Sequence, residues 1–244
     1  MKKAFLFDVD GTLSESRKMM DPDFREEFIE FAQTNDVFLV TGSDRPKTVE
    51  QTGVAVYGAC KGVFQCNGNE KWVNGRMVAK SDFKPDYDFK HFLQNEINRS
   101  TYPIKTGNHC EFRTGMCNVS TVGRNCSREQ REEYYEWDKH SEERQRFCDR
   151  VMHQFPKFTA SVGGQISIDI YPVGKNKAQV IQDLMDDGYT NFDFFGDKCE
   201  YGGNDFPLAE TIRLAKLGTV YNVSDWEQTR QLLLVIGNKL EEKK

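Results

Sequence analysis

Two aspartates spaced i, i+2, Asp8 and Asp10, follow the run Lys3-Ala4-Phe5-Leu6-Phe7 and lead into Gly11-Thr12-Leu13. One such carboxylate can attack an electrophile while the other handles a proton, and both offer oxygens to a single hard cation. A strand that merely ends in a polar turn accounts for one aspartate. Two, followed by Gly-Thr, read as the setting of an aspartyl nucleophile. A second constellation lies between Glu111 and Arg131. Ser127-x-x-Gln130 is a capping box, so a helix starts there and its free N–H groups favour an anion. Arg124 precedes that start, Arg131 lies one turn inside it, and Arg113 stands on the preceding hairpin. Guanidinium forks in this arrangement suit a phosphate that is held without being cleaved. Singly, each arginine reads equally well as a solvated charge balanced by Glu129, Glu132 and Glu133. Farther on, Gln165–Tyr171 alternates, with Ile166, Ile168 and Ile170 on one face and Ser167 and Asp169 on the other. That polar pair can bind sugar hydroxyls, although such a strand face is by itself usually just solvated.

These residues need elements to position them. The first 80 residues read β-α-β-α-β, with a helix opening at Asp21-Pro22, a second strand ending at Thr41 and a second helix opened by Pro46. Residues 63–66 make a third strand, and 71–78 read as a hairpin closed by Asn74-Gly75 in a type I′ turn. From Ser81 to Gly174 the pattern changes. A helix over 86–98, paired strands at 110–114 and 117–122, a charged helical stretch over 127–155 broken near 139–141, and a hairpin at 158–171 describe an α+β module. The α/β alternation then resumes: a helix from Lys177 to Asp187, a strand at 192–195, a helix at 206–214, a strand at 219–221 and a last helix capped by Ser224-x-x-Glu227. The reading is a doubly wound α/β core, residues 1–80 and 175–244, interrupted by an inserted α+β cap, residues 81–174. In an open α/β sheet, ligands gather outside the carboxyl ends of the strands, which is where Asp8 and Asp10 fall.

Composition narrows the partners. The chain has 244 residues, 38% hydrophobic and 29% charged, with a formal net charge of −5. The acidic balance argues against nucleic acid or an anionic membrane. No apolar run approaches the ~20 residues of a membrane span, and Asp8 interrupts any would-be signal core. Seven cysteines without a C-x-x-C pair read as reduced thiols of a cytoplasmic protein.

An Asp-x-Asp-Gly-Thr at the end of a first strand resembles the haloacid-dehalogenase superfamily of phosphotransferases, whose three later signals can be found here. Thr41-Gly42-Ser43 follows the second strand, Lys177 stands at the start of a later helix, and Gly196-Asp197-Lys198 ends an acidic strand ahead of Gly202-Gly203-Asn204-Asp205. The resemblance then narrows. Asp8-Val9-Asp10-Gly11-Thr12-Leu13 with Arg17, the run from Glu111 to Ser127, Gly163-Gly164-Gln165-Ile166-Ser167-x-Asp169 and Phe194–Lys198 are similar to the eukaryotic-type phosphomannomutases.

That resemblance implies interconversion of mannose 6-phosphate and mannose 1-phosphate, with glucose phosphates also accepted, in supply of GDP-mannose synthesis. It further implies Mg²⁺, a hexose 1,6-bisphosphate activator, a hexose phosphate substrate and a homodimer formed through the caps. Carried over by position, Asp8 is the nucleophile, Asp10 the acid/base, and Ser43 (or Thr41) and Lys177 steady the transferring phosphoryl group. Mg²⁺ falls to Asp8, the Asp10 carbonyl and Asp197, and the distal phosphate and sugar fall to Arg17, Arg113, Arg124, Arg131, Ser167 and Asp169. Two other functions compete with this one: a sugar-phosphate phosphatase on the same scaffold, and a non-catalytic binding relative. After Asp205 the chain departs from the family, reading Phe206-Pro207-Leu208-Ala209 where an acidic, Thr-rich loop completes a second cation site.

Overall fold

The computed structural model describes residues 2–81 and 83–241, with side chains described as far as Asn238. Met1, Asp82 and the last three residues, which belong to the expected core and cap segments, lie outside the described residues. The chain divides into two compact units: residues 1–80, 177–201 and 205–244 form one, and 81–176 with 202–204 form the other.

The first unit is built on a seven-stranded sheet. Its strands are β1 (Lys3–Phe7), β2 (Val37–Val40), β3 (Gly62–Gln65), β4 (Glu70–Val73), β5 (Arg76–Lys80), β10 (Asn191–Gly196) and β11 (Gly218–Asn222). Their order is β11-β10-β1-β2-β3-β4-β5. The pairs from β11 to β3 are parallel, and the β3–β4 and β4–β5 pairs are antiparallel. Asn74 and Gly75 both take positive φ, 51° and 73°, the signature of the type I′ turn expected there. β1 is the middle one of the five parallel strands, and the chain winds away from it in both directions, so its carboxyl end is the topological switch point.

Period-two alternation divides the sheet residues between two cores. Phe5, Phe7, Val37, Leu39, Val63 and Phe195 pack with α1 (Pro22–Thr34), α2 (Arg45–Ala59) and α8 (Trp226–Glu241). Ala4, Leu6, Phe38, Phe64, Phe192 and Phe194 pack against α6 (Gln179–Asp186) and α7 (Phe206–Leu214). Register places Phe7 beside Phe195 and Phe195 beside Tyr221, and the rings stack at 4.6 and 4.4 Å. Each such aromatic pair adds about 0.5–1.5 kcal/mol beyond its buried area. Two of these rings immediately precede the carboxylate-bearing loops at Asp8 and Asp197.

Helix ends follow their capping chemistry, with three differences from the expected boundaries. Asp21 caps α1 through the N–H groups of Asp23 and Phe24, as Asp-Pro predicts. α2 is interrupted at Gly53 (φ 82°, ψ 157°). α6 starts at Gln179, so Lys177 lies in the preceding turn, where its carbonyl accepts the Val180 N–H. The cap of α8 is shifted by one residue. Asp225 Oδ1 accepts the Gln228 N–H and Gln228 Oε1 accepts that of Ser224.

The second unit carries a four-stranded antiparallel sheet of β6 (Cys110–Arg113), β7 (Met116–Val119), β8 (Phe158–Gly163) and β9 (Ser167–Pro172), in the order β6-β7-β9-β8. One face packs Cys117, Val119, Phe158, Ala160, Ile168 and Ile170 against α3 (Tyr87–Arg99) and α5 (Glu143–Gln154). α4 (Arg128–Ser141) has the expected Ser127/Gln130 capping box, and the charged helical stretch breaks at Glu142, in the left-handed region at φ 48°. This is an α+β module inserted in a doubly wound core. Among the described residues no helix is long and apolar enough to cross a membrane, and no disulfide forms.

Candidate active site

β1 ends at Phe7, so Asp8 and Asp10 stand in the loop beyond it and loop hydrogen bonds, rather than strand alternation, orient them. The N–H of Asp8 still donates to the carbonyl of Phe195 at 2.9 Å, which extends the β1–β10 ladder by one residue. Gly11 takes φ +83°, and a Cβ there would lie 2.5 Å from Asp197 Oδ2. Only glycine permits both that turn and that approach.

The centre of the site is an ion cluster. Lys177, fully buried, donates from Nζ to Asp8 Oδ1 and to Asp205 Oδ1, each at 2.6 Å. Carboxylate oxygens of Asp8, Asp197 and Asp205 lie within 4.8 Å of one another. Lys198 Nζ bonds Asp197 Oδ2 at 2.9 Å, and its N–H donates to Asp205 Oδ2 at 3.2 Å. Burial, with the Asp205 charge next, pushes the Asp8 carboxyl well above the usual range, against the pull of Lys177. Burial also raises Asp197. Burial opposes the charge of Lys177, but Asp205 and Asp8 together keep its pKa above the ordinary lysine value.

The donor set suits a hard divalent cation. Asp197 Oδ1 is buried without a hydrogen-bond partner among the described residues, an orphaned acceptor that a cation would satisfy.

Asp10 is placed differently. Its Oδ1 accepts the Arg17 N–H at 3.1 Å and the Gln51 amide at 2.9 Å. Arg17 is exposed, with φ 62°. Ser43 is half-buried beyond the end of β2, and its N–H donates to the Thr41 hydroxyl at 3.0 Å. Thr41 itself is buried.

In the second unit, Arg113 and Arg124 meet on one carboxylate. Glu111 accepts from Arg113 Nε and Nη2 at 3.1 and 3.0 Å and from Arg124 Nε at 2.7 Å, and each arginine side chain is only 8% exposed. Arg124 also donates to Asn118, whose amide donates to Asp169 Oδ1 at 2.6 Å. Register explains the assembly, because Glu111, Asn118, Asp169 and Ser161 form one row across the four strands.

Ser167 and Asp169 are buried rather than solvated, and Asp169 accepts from the Asn118 amide. Ser167 pairs with Gly163, and its carbonyl accepts from Arg144 at 3.4 Å. Arg131 is half-buried in the first turn of α4. The helix start offered to an anion is capped by its own side chains, with Ser127 Oγ also donating to Glu129 at 2.7 Å. The expected substrate set is thus divided: Arg17 belongs to the first unit and the other five residues to the second.

Sequence reasoning gave no role to Asp205, Lys198, Glu111, Asn118 or Gln51. Asp205 stands at the N-cap position of α7, but its carboxylate makes no cap bond and turns to Lys177 instead. The Gly-Gly-Asn-Asp run was its only signal. The expected departure after Asp205 takes the form of α7, which begins at the next residue.

A central parallel strand delivering a buried aspartate to a lysine and two further aspartates, with an α+β insertion, is the haloacid-dehalogenase fold. Solved structures agree. The sugar phosphatase BT4131, of haloacid-dehalogenase subclass IIB, superposes with a TM-score of 0.58 at 18% identity, covering 90% of this chain and 87% of its own. IMP-bound IMP-nucleotidase of Plasmodium falciparum gives 0.64 at 15% identity, over 97% of this chain and 68% of its own. Within that fold, the model of the eukaryotic phosphomannomutase family matches residues 24–235. Phosphomannomutase 1 of Dictyostelium discoideum is 34% identical over 228 residues, 90% of this chain and 92% of that protein. The phosphomannomutases of Dendrobium officinale (38%; 85% of each chain) and Saccharomyces cerevisiae (35%; 83% of each) are similar at comparable length. The chain belongs to the eukaryotic phosphomannomutase family, isomerases that act as intramolecular phosphotransferases.

Proposed function

We propose that this protein interconverts mannose 6-phosphate and mannose 1-phosphate through a phosphorylated Asp8. The observation that carries the proposal is the pairing of buried Asp8 with Lys177 at 2.6 Å, beside Asp197 and Asp205, in a chain of this family. The Asp8 carboxylate attacks phosphorus, an Asp8–O–P bond forms, and the bond from phosphorus to the sugar oxygen breaks. Asp10 gives its proton to that leaving oxygen. In the return step Asp10 removes the proton from the free hydroxyl of a hexose monophosphate, which attacks the aspartyl phosphate and breaks the Asp8–O–P bond to give a hexose 1,6-bisphosphate. Asp8 then takes back the phosphoryl group from the other end of that sugar.

Transfer of this kind asks the protein chiefly for positioning and charge neutralisation. Lys177 supplies a fixed positive charge at Asp8, and Ser43 a hydroxyl for the transferring group. Asp8, the Asp10 carbonyl and Asp197 would hold Mg²⁺, with Asp205 adjacent; when bound, the cation neutralises charge on the transferring phosphoryl group. Arg17, Arg113, Arg124, Arg131, Ser167 and Asp169 hold the non-reacting phosphate and the sugar. The pre-paired guanidiniums on Glu111 support that assignment, since forks already fixed in place lose little entropy on meeting a phosphate. A hexose 1,6-bisphosphate primes Asp8, glucose phosphates are accepted as well, and the enzyme works as a cytoplasmic homodimer joined through its caps, feeding GDP-mannose synthesis.

The test is incubation of mannose 1-phosphate with Mg²⁺ and a trace of hexose 1,6-bisphosphate. Formation of mannose 6-phosphate is expected. Release of inorganic phosphate without any 6-phosphate identifies a phosphatase instead, and cellular function unchanged by Asp8→Asn identifies a non-catalytic relative.

A further inference from the structure

We propose that Gln51 is a positioning residue for the acid/base step: it fixes the Asp10 carboxylate so that one defined oxygen exchanges the proton. The inference rests on the reading of Asp10 as the acid/base. Gln51 is buried on α2 and far from Asp10 in sequence, and no motif marks it. Its Nε2 donates to Asp10 Oδ1 at 2.9 Å and to Ser14 Oγ at 3.4 Å. A carboxylate of this kind accepts only, so the amide must turn its NH₂ toward Asp10, and both hydrogens of that group are engaged.

The same residue holds the loop at a third point through its main chain. The Gln51 carbonyl, two residues before α2 breaks at Gly53, accepts the Met20 N–H at 2.8 Å. Side chain and carbonyl together tie down Asp10, Ser14 and Met20, the start, middle and end of the loop between β1 and α1. Thr48, one turn earlier on α2, gives its hydroxyl to Gln65 instead and takes no part in this.

The two bonds to Asp10 have a consequence for the chemistry. Gln51 and the Arg17 N–H both land on Oδ1. The carboxylate therefore cannot rotate without losing two hydrogen bonds, and Oδ2 is the oxygen presented for proton transfer. Misplacing a catalytic group by about 1 Å costs up to about 100-fold in rate, within the 10²–10⁴ that acid/base assistance contributes.

The test compares two phosphoryl donors on the same protein preparation. A sugar bisphosphate must be given a proton as its alkoxide leaves, whereas acetyl phosphate releases acetate, which needs none. Gln51→Met keeps the volume and removes the donors. It is expected to slow phosphorylation of Asp8 by glucose 1,6-bisphosphate roughly 10- to 100-fold, with KM changed less than about threefold, while the rate with acetyl phosphate is kept. Because both rates come from one sample, their ratio does not depend on the folded fraction. Equal loss with both donors, or no loss with either, overturns the proposal. Asp10→Asn separates this failure from that of the underlying reading. A selective loss with Asp10→Asn but not with Gln51→Met refutes the role of Gln51 alone, and equal loss of both donors with Asp10→Asn refutes the acid/base reading itself.

Discussion

Divalent cation binding should stabilise the folded protein by an amount that can be worked from the carboxylate cluster. Asp8, Asp197 and Asp205 place charged oxygens within 4.8 Å of one another. At an effective dielectric of about 20, each such pair of unit charges repels by roughly 3–4 kcal/mol at that distance. Lys177 and Lys198 offset part of this, but three negative charges still face two positive ones. A cation that binds only the folded chain adds about 2.7 kcal/mol at a hundred times its Kd. For a chain of this size that corresponds to a rise in Tm of about 5–10 °C for the unit that holds the cluster. The effect also has a definite pH dependence. The carboxyls of Asp8 and Asp197 have folded-state pKa values raised by burial, so they bind protons more tightly folded than unfolded. The stability contributed by those protons is present below the unfolded carboxylate pKa and is lost as pH rises through the raised values. Mg²⁺ competes with the same protons, so its stabilising increment should grow across that window. The assay is thermal unfolding followed by circular dichroism between pH 5 and pH 8, with and without Mg²⁺, on the wild type and Asp197→Asn. A wild-type shift below about 1 °C at pH 8, or an equal shift in Asp197→Asn, refutes the assignment of the cluster as a cation site.

Three further outcomes follow from particular contacts. Arg124→Ala removes a guanidinium held by Glu111 and Asn118, and should raise KM for mannose 1-phosphate about 10- to 100-fold, the weight of a charge-assisted hydrogen bond; steady-state kinetics should show phosphorylation of Asp8 by acetyl phosphate spared. Gly11→Ala forces a Cβ to within 2.5 Å of Asp197 Oδ2 at φ +83°, so it should lower stability by at least about 1–2 kcal/mol in denaturant unfolding and abolish the Mg²⁺-induced rise in Tm. Asp225→Ala removes the cap bond to the Gln228 N–H and should cost about 1 kcal/mol in urea unfolding while leaving turnover unchanged.

Much of the architecture was legible because its signals are local. Asp21-Pro22, Asn74-Gly75 and Ser127-x-x-Gln130 fix φ values or satisfy N–H groups within four residues, and those turns and caps form where they were expected. Boundaries were less legible where two local solutions compete. Ser224 and Asp225 can each begin a capping box, and only the geometry of Gln228 selects Asp225. The polar face of β9 was misjudged for a different reason. Alternation shows which residues share a face but not what meets it, and Asp169 is buried with Asn118 and, through it, Arg124, which lie far from it in sequence.

By itself the sequence determined the class of chemistry, because Asp8-x-Asp10 after an apolar strand, Lys177 and Asp197 are motifs whose residue types state what they can do. It also determined the α/β core, its α+β insertion and the gathering of Arg113, Arg124 and Arg131 in one stretch of that insertion. Only the tertiary structure decided which charges answer one another. Lys177 and Asp8 are 169 positions apart, and Lys177 chooses Asp205 as its second partner in place of a helix cap. Glu111 gathers two arginines because register puts it in one row with Asn118 and Asp169. Gln51 reaches Asp10 across 41 positions with no motif to announce it. Hydrogen bonds and ion pairs act over about 3 Å of space, whatever the distance along the chain, so the site's electrostatics exist only once the sheet is assembled.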